Sequence, residues 1–255
     1  MSFITGYDWE KNLVKKVLRK VIPVIAWLLI WQLVAFIIHN KILLAGPLET
    51  LKALISLSQT SDFWESIAES STRILLGFLI GSVLGIAAAY LAYTNEVARD
   101  FLKPFVVTLK SVPVASFVIL LLIWFGSRNI SVIICAMVVF PILYLSTLEG
   151  FLCTDVKMLE MAQVFRMPRL RTVRYIFLPQ LKPFFQSAFK LAIGMSFKSG
   201  IAAEVIGQPL HTMGNGLYLA KVYLETGELF AWTIVIVLIS FICEKILALA
   251  IGRAK

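Results

Sequence analysis

Lys190, Ser196, Lys198 and Ser199 interrupt an otherwise apolar run, Pro183–Ala203, and Glu204 follows it directly. An ammonium group at the centre of a membrane helix costs about 2.5–3.5 kcal/mol on insertion scales unless it faces protein or water. Lys190 and Lys198 stand eight residues apart, close to one helical face, with Gly194 midway between them. A cationic lining of that kind suits the passage of an anion. A plainer arrangement also fits: the two ammonium groups snorkel to opposite interfaces, or Lys198 pairs with Glu204. Glu204, with Gly207-Gln208-Pro209 behind it, reads either as part of an external gate or as the cap of a loop.

What the chain lacks narrows the remaining chemistry. No glycine precedes a lysine anywhere, so the G-x-x-x-x-G-K loop that cradles phosphates is missing. His39 and His211 are the two histidines, there is no H-E-x-x-H, and no apolar run holds a pair of carboxylates, so a metalloenzyme or intramembrane protease would want for parts. Cys135, Cys153 and Cys243 form no C-x-x-C and lie in or beside apolar runs, which argues against a disulfide framework or a zinc site. The expectation is a non-catalytic chain with no metal and no cofactor of its own.

A second informative stretch is amphipathic rather than reactive. Met158, Met161, Ala162 and Phe165 recur at helical spacing, Met167-Pro168 interrupts, and Leu170, Val173, Ile176 and Phe177 resume the pattern, with Arg166, Arg169, Arg171 and Arg174 interspersed. Helix, break, helix is predicted. Such a pair can lay its apolar stripe into a groove on a soluble partner, or lie on the membrane with no partner; periodicity alone supports both equally.

The elements that must position these residues are membrane spans. Of the 255 residues, 59% are hydrophobic and only 15% charged, and mean hydropathy is +0.87, against about 25% charged in soluble domains. Gaps between charges at 21–40, 74–95, 111–127, 129–148 and 229–243 mark five spans, the last continuing to about residue 250, and the polar run 183–203 makes a sixth. The three residues 127–129 make spans three and four an antiparallel hairpin. A basic tail, 1–20, precedes the first span, which reads as a retained helix rather than a signal peptide. Between spans one and two, Ser61 caps a short interfacial helix, and in span two Gly77, Gly81 and Gly85 share one face suited to close helix packing. Seventeen of the 24 Lys and Arg fall on the side that holds both termini and the 155–182 loop, which the positive-inside rule makes cytoplasmic. The net charge of +9 is thus accounted for by topology and lipid headgroups, without nucleic acid.

The spacing Glu160-x-Ala162, then Ile176-x-Leu178-Pro179, resembles the cytoplasmic signature of prokaryotic binding-protein-dependent ABC transporter permeases: Glu-Ala-Ala, three residues, Gly, nine residues, Ile-x-Leu-Pro. Met161 stands at the second alanine and Arg166 at the glycine, so Met167-Pro168 is expected to make the turn that glycine ordinarily makes. Ser71-x-Arg73 with Gly77-Phe78, Val112-Pro113, Leu122-Ile-Trp124-Phe-Gly126, Ala203-Glu204-Val-Ile-Gly207 and Gly214-Asn-Gly216 are similar to the nitrate, sulfonate and taurine branch, from about residue 45 to the C-terminus. The resemblance implies an all-α integral membrane protein of six transmembrane helices with the ABC importer permease (MetI-like) fold, in the prokaryotic plasma (inner) membrane. It implies a second permease copy, two cytoplasmic ABC ATPase subunits that carry ATP and Mg, and an external solute-binding protein. It assigns ATPase coupling to Glu160, Ala162, Arg166, Pro168, Ile176, Leu178 and Pro179, and leaves Lys190, Ser196, Lys198, Ser199 and Glu204 as pathway or gate candidates. A small anion such as a sulfonate, taurine or nitrate is the expected cargo, with a heterocyclic vitamin or pyrimidine precursor as the alternative. A membrane adaptor or a secondary carrier without an ATPase is the reading from another class, although no internal repeat supports a carrier.

Overall fold

The computed structural model describes the backbone of residues 4–40 and 42–253 and the side chains of residues 19, 21–40 and 42–250. The start of the basic tail and Lys41, which bounds the first apolar run, lie outside the described residues. All regular structure among the described residues is helical. In order these are α1 (Ile4–Ile38), α2 (Pro47–Ser58), α3 (Ser61–Thr94), α4 (Glu96–Ser111), α5 (Val114–Phe125), α6 (Ile130–Leu152), α7 (Val156–Val164), α8 (Arg169–Thr172), a π-helical turn (Val173–Phe177), α9 (Leu178–Gly207), α10 (Met213–Val222) and α11 (Thr226–Arg253).

Several boundaries move from those expected. The stretch read as a separate tail is continuous with the first span in α1, of which Val21–Ile38 is apolar enough to cross a bilayer. The expected interfacial helix at Ser61 is the beginning of α3 itself, because no Gly or Pro breaks the chain before Gly77. Thirty-four residues reach about 51 Å, so α3 exceeds a hydrocarbon core of about 30 Å and its first turns project beyond it. Helix α2 was not foreseen; Gly46 in extended conformation followed by Pro47 at the first turn starts it.

The third span, expected at 111–127, is replaced by a broken pair. Pro113 holds Val112 in extended conformation (φ −77°, ψ 131°), and α4 and α5 meet at 103°. With 12 residues, α5 reaches about 18 Å and cannot cross alone. Uninterrupted apolar crossings are available to α1, α3, α6 and α11, and the bent α4–α5 pair has the form of a broken span or a re-entrant segment. Helix α9, expected at 183–203, has the length of a span, but Lys182, Lys190, Lys198 and Glu204 interrupt its apolar sequence. Its packing against α3 and α6 buries the side that carries Ala188, Ala192, Ile193, Phe197 and Ile201.

The packing of α3, α6 and α9 forms the core. A Cβ at Gly81 would lie 2.6 Å from the Ala136 carbonyl oxygen and one at Gly85 2.7 Å from that of Phe140, while one at Gly77 would collide with the Val132 carbonyl. Glycines every fourth residue thus let the backbones of α3 and α6 approach closely. Ile74 and Phe78 of α3, Cys135, Val139 and Leu143 of α6 and Ile193 and Phe197 of α9 fill the space between. By contrast Trp27, Leu29, Phe36 and Ile37 of α1 and Val237, Phe241, Ile246 and Leu249 of α11 are exposed, the surface expected against lipid rather than water.

Candidate functional site

Asp155 opens the 156–179 segment by accepting a hydrogen bond from the Lys157 N–H at 2.9 Å, a cap for α7. The helix stops at Arg166, whose φ is +48°. There the Met167 N–H donates to the Ala162 carbonyl at 2.8 Å and the Arg166 N–H to that of Gln163 at 3.0 Å, the paired bonds of a Schellman termination. The position where the signature has glycine therefore keeps the left-handed backbone that favours glycine, with arginine supplying it. Pro168 is extended and begins α8, so the break uses Arg166 as well as Met167-Pro168. Pro179 has no N–H to donate back to Tyr175, and the wider π turn just before it accommodates the missing bond.

Ala162 and Ile176 are the buried residues of the two halves of this segment. Gln180 adds a clamp that the sequence did not signal: its Oε1 accepts from the Asp155 N–H at 3.0 Å and its Nε2 lies 3.4 Å from Met158 Sδ. Tyr93 at the end of α3, Phe151 at the end of α6 and Phe177 in the π turn form an aromatic trio with centroids 4.9, 5.5 and 5.9 Å apart. Turned outward are Glu160, Met161, Val164, Phe165 and Leu170, with Arg169, Arg171 and Arg174 exposed beside them. Leu178 and Pro179 are exposed too.

The five pathway or gate candidates do not share a surface. Ser196 and Ser199 are buried, their hydroxyls donating to the Ala192 and Met195 carbonyls of their own helix at 2.8 Å each. Lys190 and Lys198 are exposed on the other side of α9, with open space beside Gly194. Lys190 Nζ lies 3.5 Å from Glu244 Oε1 of α11, a partner the sequence did not suggest.

Glu204 is fully enclosed at the far end of the bundle from α7. Its Oε2 accepts from Ser70 Oγ at 2.7 Å and from the Gly214 N–H at 3.2 Å, and Ser70 Oγ accepts in turn from the Met213 N–H at 2.8 Å. The carboxylate and the Ser70 hydroxyl thus take the first two N–H groups of α10, where negative charge is favoured. A Cβ at Gly214 would collide with Glu204, so glycine is what allows this approach. At the same end Asp62, Glu65 and His211 bring ligand atoms within 4.8 Å of one another, all three exposed.

The model of the family described as the binding-protein-dependent transport system inner membrane component matches residues 81–254. The chain belongs to that family. Relatives of this permease span most of its length. An aliphatic sulfonates transport permease protein of Bacillus subtilis is 23% identical over 245 residues, covering 95% of this chain and 86% of the relative. The taurine transport system permease protein of Escherichia coli is 24% identical over 245 residues, covering 92% and 88%. The bicarbonate transport system permease protein of Synechococcus elongatus is 26% identical over 233 residues, covering 84% and 80%. In fold, the permease matches a chain of the inward-facing MetNI methionine ABC transporter with a TM-score of 0.54 and 14% identity, over 74% of this chain and 94% of that one. The all-helical, MetI-like permease fold expected from the sequence is therefore the fold of this chain.

Proposed function

We propose that this permease is the transmembrane subunit of an ATP-driven importer, that two copies enclose the pathway, and that residues 156–179 dock into a cytoplasmic ATPase. The observation that supports docking is the division of that segment into a buried and a bare side. Ala162 and Ile176 are buried while Met161, Val164, Phe165 and Leu170 stay exposed on a short, capped helix that Gln180 of α9 holds through Asp155 and Met158. An apolar helix face on a rigid mount suits a groove on a soluble partner. Closure of the ATPase pair on ATP would move the segment as a body, and the Gln180 clamp and the aromatic trio would pass that movement to α3, α6 and α9. An external binding protein delivers the solute in this account, and both termini are cytoplasmic.

The proposed cargo is a small anion. Lys190 is paired with Glu244, and Lys198 on the open side of α9 makes no ion pair among the described residues, so Lys198 is the cation assigned to the pathway. The names of the sulfonate, taurine and bicarbonate relatives agree with this class of solute. Pull-down of the detergent-solubilised chain with its ATPase tests the docking step. Wild type should retain the ATPase and Glu160→Arg should lose it while still eluting as a folded species. Failure of wild type to retain any ATPase would favour the adaptor or carrier reading.

A further inference from the structure

Helices α4 and α6 enclose a groove of about 530 Å3 that is unlike the rest of the surface. It lies at the same end of the bundle as α7, since Leu152, the last residue of α6, is in its wall. One side is cationic: Arg99, Lys103 and Lys110 stand at intervals of four and seven along α4, on one helical face. The other side is apolar, made by Leu145, Leu148 and Leu152 of α6 and by Val107 of α4. Asp100 is the single acid in the lining, and Glu96, 3.6 Å from Arg99, lies outside it on the exposed surface, so the groove keeps a surplus of positive charge. Helix α4 carries a second stripe, Val97, Phe101 and Phe105, four residues apart and exposed. A helix with basic residues on one face and large apolar residues on another lies in the boundary between headgroups and acyl chains. That places the groove at headgroup depth.

We infer that this groove binds an anionic phospholipid, its phosphate among Arg99, Lys103 and Lys110 and an acyl chain along Leu145, Leu148 and Leu152. Basic pockets between membrane helices on the cytoplasmic side take such headgroups. A small soluble anion would answer the three cations but leave the leucine wall in contact with water, at the usual cost of exposed apolar surface. The lipid matches both sides at once. Because α4 runs directly into the bend at Val112-Pro113 and α5 packs on α9, the bound lipid also braces the broken span against the transport face.

The test uses the full chain in nanodiscs of phosphatidylcholine with a minor share of phosphatidylglycerol, followed by native mass spectrometry of the released protein. Wild type should emerge enriched in phosphatidylglycerol adducts. The combined Arg99→Gln, Lys103→Gln and Lys110→Gln variant should lose that enrichment by about tenfold or more. Val107→Trp, which keeps all three cations but fills the apolar side, should lose it too, with both variants monodisperse on size exclusion. Equal retention of the two lipids by wild type, or unchanged enrichment in the triple variant, would overturn the proposal. So would full retention in Val107→Trp together with displacement by inorganic phosphate, which would assign the cations to a soluble anion.

Discussion

Arg166 shows what a single position in the 156–179 segment must do. A non-glycine residue in the left-handed region costs about 1–2 kcal/mol, and Arg166 is held there by the two N–H bonds to Gln163 and Ala162. Arg166→Gly should therefore leave the melting temperature of the purified permease unchanged or raised by the equivalent of about 1 kcal/mol, whereas the β-branched Arg166→Val should lower it. Glu204 makes the complementary case. Glu204→Ala strips a partner from Ser70 and from the Gly214 N–H, so we expect a loss of about 2–4 kcal/mol by thermal unfolding, given about 1–3 kcal/mol for each buried group left unpaired. Glu204→Gln keeps an acceptor oxygen and should recover most of that stability. The departure at Arg166 was visible in the sequence, but its backbone was not, because any turn could have been made by Met167-Pro168 alone. The role of Glu204 was less legible still, since Ser70 lies 134 residues away and nothing local marks the pair.

At the scale of elements, the glycine ladder of α3 was plain from its four-residue spacing, and the contact it makes needed only a neighbour to be named. Gly81→Leu should abolish recovery of folded permease, because the obstacle is the α6 backbone at Ala136 rather than a side chain able to turn away. The α4–α5 break was harder to read. Charge gaps find the edges of hydrocarbon but not the direction of the chain, and Pro113 alone marks the place where 103° of bend enters. Helix α9 was recognised by its polar interruptions, yet those interruptions split between a buried serine face and an open lysine face that composition does not separate. Gln180 had no signal at all, one amide beyond a proline. Gln180→Leu should leave the ATPase bound but separate its hydrolysis from transport, lowering solute moved per ATP several-fold, if the clamp carries the movement of α7 into α9.

The molecule as a whole is a membrane-embedded bundle with a bare segment at one end and an exposed cation, Lys198, on the open face of α9. Substituting Lys198→Gln should reduce anion uptake several-fold, because the open face of α9 then loses the cation that attracts the solute, without changing ATPase retention. The most direct measurement is uptake of a labelled sulfonate into liposomes that hold the permease with its co-purifying ATPase, with ATP inside and the binding protein outside. Accumulation that requires ATP and the binding protein, and that Glu160→Arg abolishes, is the predicted result. Uptake that ignores ATP and follows an imposed ion gradient would contradict it.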